Sequence, residues 1–208
     1  MSRKDHLIEK IVNLEWEMFQ NVKGIGGRAS CQDDYATFEI NRAGQAQSWS
    51  ETALASYLED LERAKCQDRN LLSEKYARMM ASTSKAEYES IKHLLPPLEE
   101  GVLPLVEKIV DIVLEWEQEM MKKYPNVIQR GRPIRSFQDA PNVTSLETYL
   151  RGELLTYSKK TLDHLYENYD QLRTAGTNGS EMILEHMVER FGYASLEEAN
   201  SRMDKPAR

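Results

Sequence analysis

Apolar residues recur every three or four positions along most of the chain, with polar faces between them. That period predicts helices. Leu7, Ile8, Ile11, Leu14, Met18, Phe19 and Val22 trace one stripe, predicting a helix from about Lys4 to Val22. The stretch Gly24-Ile25-Gly26-Gly27 stops it, because glycine is costly inside a helix and favoured just past its end. Further stripes predict helices over Asp33 to Gln47, Trp49 to Lys65, Leu71 to Ala81 and from Ser84 to about Leu95. Pro96-Pro97 breaks the pattern near the midpoint, restricting the backbone and removing two donors. A strongly apolar helix then runs from Glu99 or Pro104 to Tyr124, and Val127 to Asn142 reads as irregular. The longest helix is expected over Ser145 to Thr174, closed by Gly176. Two shorter helices follow, Glu181 to Phe191 and one capped by Ser195, before a charged tail. Several starts carry the pattern of a hydroxyl followed three residues on by Glu, which serves two free N–H groups: Ser48 with Glu51, Ser84 with Glu87, Thr144 with Glu147. Only Ala36 to Ile40 approaches strand alternation, and it lies between helical signals. The expectation is all-α: a single compact helical domain of about 8 helices.

Certain phrases occur twice in the same order. Leu14-Glu15-Trp16-Glu17 returns as Leu114-Glu115-Trp116-Glu117, Gly27-Arg28 as Gly131-Arg132, and Gln32-Asp33 as Gln138-Asp139. Ser48-x-x-Glu51-Thr52 is echoed by Thr144-x-x-Glu147-Thr148, and Asn70 before Ser73-Glu74 by Asn178 before Ser180-Glu181. The spacings vary, which argues against a fixed-period solenoid. The reading is two diverged copies of one helical unit, halves 1–95 and 98–208, in a pseudo-twofold arrangement.

Composition narrows the function classes. The 208 residues are 40% hydrophobic and 29% charged, with a net charge of -7. An acidic surface repels phosphate backbones and anionic lipid, so neither nucleic acid nor membrane is expected as a partner. The first ten residues lack the apolar core of a signal peptide, and no apolar run is long enough to span a bilayer. The expected location is the cytoplasm, where Cys31 and Cys66 would be free thiols. Oligomeric state is left open.

The densest polar stretch is Arg28-Ala29-Ser30-Cys31-Gln32-Asp33-Asp34. Arg28 could grip a carboxylate or phosphate, with backbone donors of the following helix assisting. Against that stands a plain capping loop with a structural Arg–Asp pair. Cys31 near a helix start could be an activated nucleophile; an inert thiol is the favoured alternative. Glu147 and Arg151, one turn apart beside Glu153 and Tyr157, and Glu74, Lys75 and Arg78 on the first-half helix, matter if their faces are buried; otherwise they are solvated pairs. The glycine stretch follows a helix and lacks a following Lys-Ser/Thr, so it matches no phosphate-binding fingerprint. None of His6, His93, His164 and His186 has a Glu three residues before it, so the di-metal carboxylate pattern is missing. Neither a metal nor any other cofactor is expected. Trp16, Trp49, Trp116 and the Met79-Met80 pair read as core.

Three segments, Gly27-Arg28-Ala29-Ser30-Cys31-Gln32, Glu74-Lys75-Tyr76-Ala77-Arg78-Met79-Met80 and Thr144 to Leu154, resemble an uncharacterised bacterial helical domain family of unknown function. The resemblance extends over nearly the whole chain. It implies a cytoplasmic bacterial protein and supplies no catalytic residue.

The functional expectation is a domain that binds, or acts on, a small polar or anionic molecule in a pocket between the halves. Arg28, Ser30, Gln32, Asp33, Arg132 and Asp139 would line it, with Glu74, Arg78, Glu147 and Arg151 behind. The alternative is a non-catalytic helical protein–protein interaction module with an exposed apolar groove. Whether the pocket catalyses a reaction is left open at this level.

Overall fold

Side-chain caps decide where the helices begin, because the first turn of each leaves N–H groups that need acceptors. The computed structural model describes residues 2–24, 27–140 and 143–203. Ser2 and Asp5 form a capping box at the start of α1, Arg3–Gln20. Asp34 caps α2, Tyr35–Gln47, by accepting from Thr37 N. Ser50 caps α3, Glu51–Cys66, and Asn70 caps α4, Leu71–Thr83. The short α5, Lys85–Ile91, leads through a 3-10 turn at Lys92–Leu94 to the two prolines. Then come α6, Val102–Lys123, and one turn of α7, Pro125–Ile128. Ser145 caps α8, Leu146–Leu154; Ser158 caps α9, Lys159–Thr174; Asn178 caps α10, Gly179–Arg190. The last helix is α11, Leu196–Met203. Two further 3-10 turns, Ser30–Asp33 and Ser136–Gln138, each have a Gln in third position whose side chain returns to the N–H before the turn.

The all-helical, single-domain expectation stands; several details do not. Among the described residues there are eleven α-helices rather than about eight, and no strand. The long helix expected over Ser145 to Thr174 is two. Its break lies at Ser158, whose hydroxyl accepts from Thr161 N while its own N–H is taken by Asp60 of α3 at 2.9 Å. Caps assigned to Ser48 and Thr144 belong to Ser50 and Ser145. Ser48 instead ends α2 and is buried. Ser84 precedes α5 without a side-chain cap. Residues Ile25 and Gly26 of the glycine stretch, Pro141 and Asn142 of the irregular stretch, and the charged tail after Met203 lie outside the described residues.

Packing joins the two stretches of chain into one core. The pairs α1–α3 and α6–α9 meet through α3 on α9; α2 lies along α10, and α8 along α4. Leu54, Leu61, Ile109, Leu162 and Leu165 are among the fully buried side chains, each worth about 1.5–3 kcal/mol of transfer free energy. Two glycines allow the lateral contacts. A Cβ on Gly44 would lie 2.8 Å from Met187 Cγ of α10, and one on Gly152 would lie 2.6 Å from Met79 Cγ of α4. A smaller apolar cluster of Met120, Tyr124, Ile128, Val188 and Leu196 seats α11 against α7. Among the described residues no helix is long and apolar enough to cross a membrane.

Candidate functional site

The apolar stripe of α1 contains one acid. Glu15 follows Ile8, Ile11 and Val12 at helical spacing and points into the core, fully buried. Lys75 occupies the same kind of position on α4, between Leu71 and Met79, and Glu153 lies beside Leu154 on α8. Arg42 of α2 joins them. Its Nε donates to Glu15 Oε2 at 2.7 Å, and its Nη2 pairs with Glu15 and donates to Glu153 Oε1 at 2.9 Å. Lys75 Nζ pairs with the other Glu153 oxygen. Gln45 bridges the network, accepting from Arg42 Nη1 at 2.7 Å and donating to Glu153 at 3.1 Å. Tyr57 donates to Glu15 at 2.7 Å, and Tyr157 to Glu153 at 2.8 Å.

The cluster holds two acids and two bases, so it is neutral; Glu153 accepts four hydrogen bonds and Glu15 three. Burial opposes the charge on Glu153, yet Arg42 and Lys75 beside it hold its carboxyl well below the usual carboxylate range. Burial works against the Arg42 guanidinium too, and the two carboxylates outweigh it. Burial and the neighbouring carboxylates push the phenols of Tyr57 and Tyr157 far up, so both remain donors. Removing one partner from such a network leaves an uncompensated buried charge, which typically costs 3–5 kcal/mol.

This cluster forms one wall of a cavity of about 480 Å³ enclosed by α1, α2, α4, α6, α8 and α10. Phe19, Phe38, Tyr76, Trp116 and Tyr149 supply aromatic surface. Lys75 Nζ sits 3.5 Å from the centroid of the Tyr149 ring, and the Arg132 guanidinium 4.5 Å from it. Arg132 is exposed and lines the cavity, which places it at the opening. Its polar contact among the described residues is a bond to the Thr144 carbonyl at 3.1 Å; no acid pairs with it there. Glu117 lines the same cavity, half-buried beside Ser180. Burial raises its carboxyl, with the Ser180 hydroxyl partly opposing that.

Of the residues expected at the site, Arg132 is the one that lines this cavity. Arg28 bonds to Asp33 at 2.8 Å and to the Gln32 carbonyl, forming an exposed local pair. Gln32 is buried, its amide donating to the carbonyls of Phe19 and Val22 at the end of α1. Ser30 opens the same 3-10 turn and is exposed. Asp139 accepts from Ser145 N, Thr148 and Ser82, tying the start of α8 to α4. Glu147 accepts from Ser136 N and Arg151, and Arg151 also pairs with Glu107. Glu74 pairs with Arg69. Arg78 donates to the Pro96 carbonyl at 2.8 Å and borders a smaller polar cavity beneath the prolines. The four groups expected to converge, Arg28, Asp33, Arg132 and Asp139, therefore make three separate structures. The pair Arg28–Asp33 closes a loop, Asp139 anchors a helix start, and Arg132 faces the cavity.

Sequence reasoning passes over Glu15, Arg42 and Glu117, and names Lys75 and Glu153 only as charges that matter if their faces are buried. A signal was present: a charged residue in register with an apolar stripe, as Glu15 is with Ile8, Ile11 and Val12, must be buried or must break the stripe. Cys31 also lines the cavity and is exposed.

A family described as "Protein of unknown function (DUF4125)" matches residues 5–201. No curated protein and no solved structure matches the chain.

Proposed function

Because the chain belongs to this family of unknown function, its role has to be read from its own geometry, and we propose that it binds a small organic anion in the cavity between α1, α2, α4, α6, α8 and α10. The observation that carries this reading is the pair of cations on the Tyr149 ring. Arg132 at the opening has no acidic partner among the described residues, and Lys75 within has an ammonium of three donors, one of which is taken by Glu153. An anionic group at the opening meets a guanidinium suited to carboxylate or phosphate, while the body of the ligand lies against Phe19, Phe38 and Trp116. Anilinonaphthalene sulfonate, an anion with an aromatic body, is a direct probe. Its fluorescence should rise on binding the full chain, and Arg132→Ala should weaken it about tenfold, the equivalent of ~1.4 kcal/mol. Equal binding by the variant would overturn the reading.

We also infer that 1–95 and 98–208 are diverged copies of one unit. Support comes from contacts that occur in pairs. Asn70 donates to the Met18 carbonyl of α1, and Asn178 to the Trp116 carbonyl of α6. The N–H of Ser50 meets Asn168, and that of Ser158 meets Asp60. Gly44 faces Met187 as Gly152 faces Met79. In this register Met18 answers Trp116, so the two Leu-Glu-Trp-Glu phrases lie two residues apart. Gln45 and Glu153, bonded to each other, occupy equivalent positions.

A further inference from the structure

We infer that Glu117, with Ser180, is a second recognition point in the cavity, and that the ligand is zwitterionic: an anionic group for Arg132 and Lys75, and a protonated amine for Glu117, joined by a compact apolar body. The inference rests on the anion-binding reading above and narrows it.

The charges that line the cavity lead there. Glu15, Arg42, Lys75 and Glu153 neutralise one another. The Asp34 carboxylate is occupied at the start of α2, accepting from Thr37 N at 3.0 Å. Besides Asp34, which serves as a helix cap, two charged groups on the wall have no ionic partner among the described residues, Arg132 and Glu117. One is a cation and the other an acid, and they come from different segments, the loop before α8 and helix α6. A ligand with one charge of each sign would answer both; a simple anion would answer only Arg132.

Packing does not ask for an acid at position 117. In the register set by the two asparagine caps, Glu117 follows Trp116 as Phe19 follows Met18, and Ser180 stands two residues after Asn178 as Leu72 does after Asn70. Phe19 and Leu72 are buried apolar residues that line the same cavity. The fold thus accommodates an apolar pair where the second half presents a carboxyl and a hydroxyl. The reverse holds at three further positions. Glu15, Arg42 and Lys75 correspond to Val113, Leu150 and Ile183, which also line the cavity. The mutually neutralising cluster thus draws three of its four charges from the first half, whereas Arg132, Glu117 and Ser180 all come from the second.

Displacement of anilinonaphthalene sulfonate from the full chain tests this with three probes: phenylalanine, phenylpropionate, which lacks the amine, and phenethylamine, which lacks the carboxylate. Phenylalanine should displace the dye at a concentration about tenfold lower than phenylpropionate, as expected for one charge-assisted bond. Glu117→Gln should abolish that advantage and leave phenylpropionate unchanged; Ser180→Ala should reduce it. Phenylalanine no better than phenylpropionate, or an advantage that survives Glu117→Gln, overturns the role of Glu117 alone. Dye binding indifferent to Arg132→Ala overturns the anion site beneath it, and that result is read before any amine is added.

Discussion

Two arginine–carboxylate pairs of this chain look alike on paper and behave differently. Arg28 and Asp33 meet in the loop after α1 with 47% and 67% of their side chains exposed, whereas Arg42 and Glu15 meet beneath α1 with 13% and 1% exposed. The exposed pair gains little, because water and salt screen it and ordering two side chains costs entropy. The buried pair has given up its hydration, so its charges need partners, and Gln45, Tyr57, Tyr157, Lys75 and Glu153 join it in one network. A dense run of polar residues in sequence thus marks a surface loop, while isolated charges on apolar faces mark the polar heart of the molecule.

The sharpest way to break this contrast is Glu153→Ala, which strands Lys75 in the core and leaves Arg42 with Glu15 alone. A loss of about 3–5 kcal/mol in urea unfolding is expected; a loss near that of a surface substitution would dissolve the distinction. Acid should expose the same asymmetry. The Glu153 carboxyl titrates below its unfolded value of about 4.3, so its stabilisation is complete above that pH and disappears as the pH falls through the lower folded value. Unfolding followed from neutral pH down should steepen below about pH 4, and the steepening should be shallower in Glu153→Gln.

Two milder substitutions test the lateral packing. Gly44→Ala and Gly152→Ala each push a Cβ onto a methionine. Overpacking of about 1–3 kcal/mol is partly offset by about 1 kcal/mol of helix propensity, leaving a net loss of up to about 2 kcal/mol for each. Equal losses support the paired halves; a loss in only one weakens that reading. The smallest effect belongs to Arg28→Ala, expected within about 1 kcal/mol of the parent and smaller still at high salt.

Helix identity was legible because it depends on local periods and caps. Asn70, Asn178 and the left-handed glycines Gly176 and Gly192 stand where the sequence places helix ends. Cap positions slipped by a residue or two wherever serines cluster, as at Ser48 and Ser50, since either hydroxyl satisfies the pattern and only the path of the chain chooses. The break at Ser158 was hidden for a different reason. Part of what holds it is Asp60, 98 residues away, and no local signal reports such a partner. The site was the least legible. Arg132 was recognised through its Gly-Arg loop, whereas Glu15, Arg42 and Glu117 look like ordinary charges on amphipathic helices until their faces are known to be covered.

By itself, the sequence determined the helical class, most element boundaries, the acidic surface and the recurrence of phrases in two halves, all consequences of short-range pattern and composition. Tertiary structure alone decided which charges are buried and which groups meet. Whether Glu15 faces water or Arg42 depends on how α1, α2 and α8 stack. Burial turns an ion pair from a marginal surface contact into a network whose every member must be matched. It also separates the charges that satisfy one another from Arg132 and Glu117, which face the cavity without an ionic partner among the described residues.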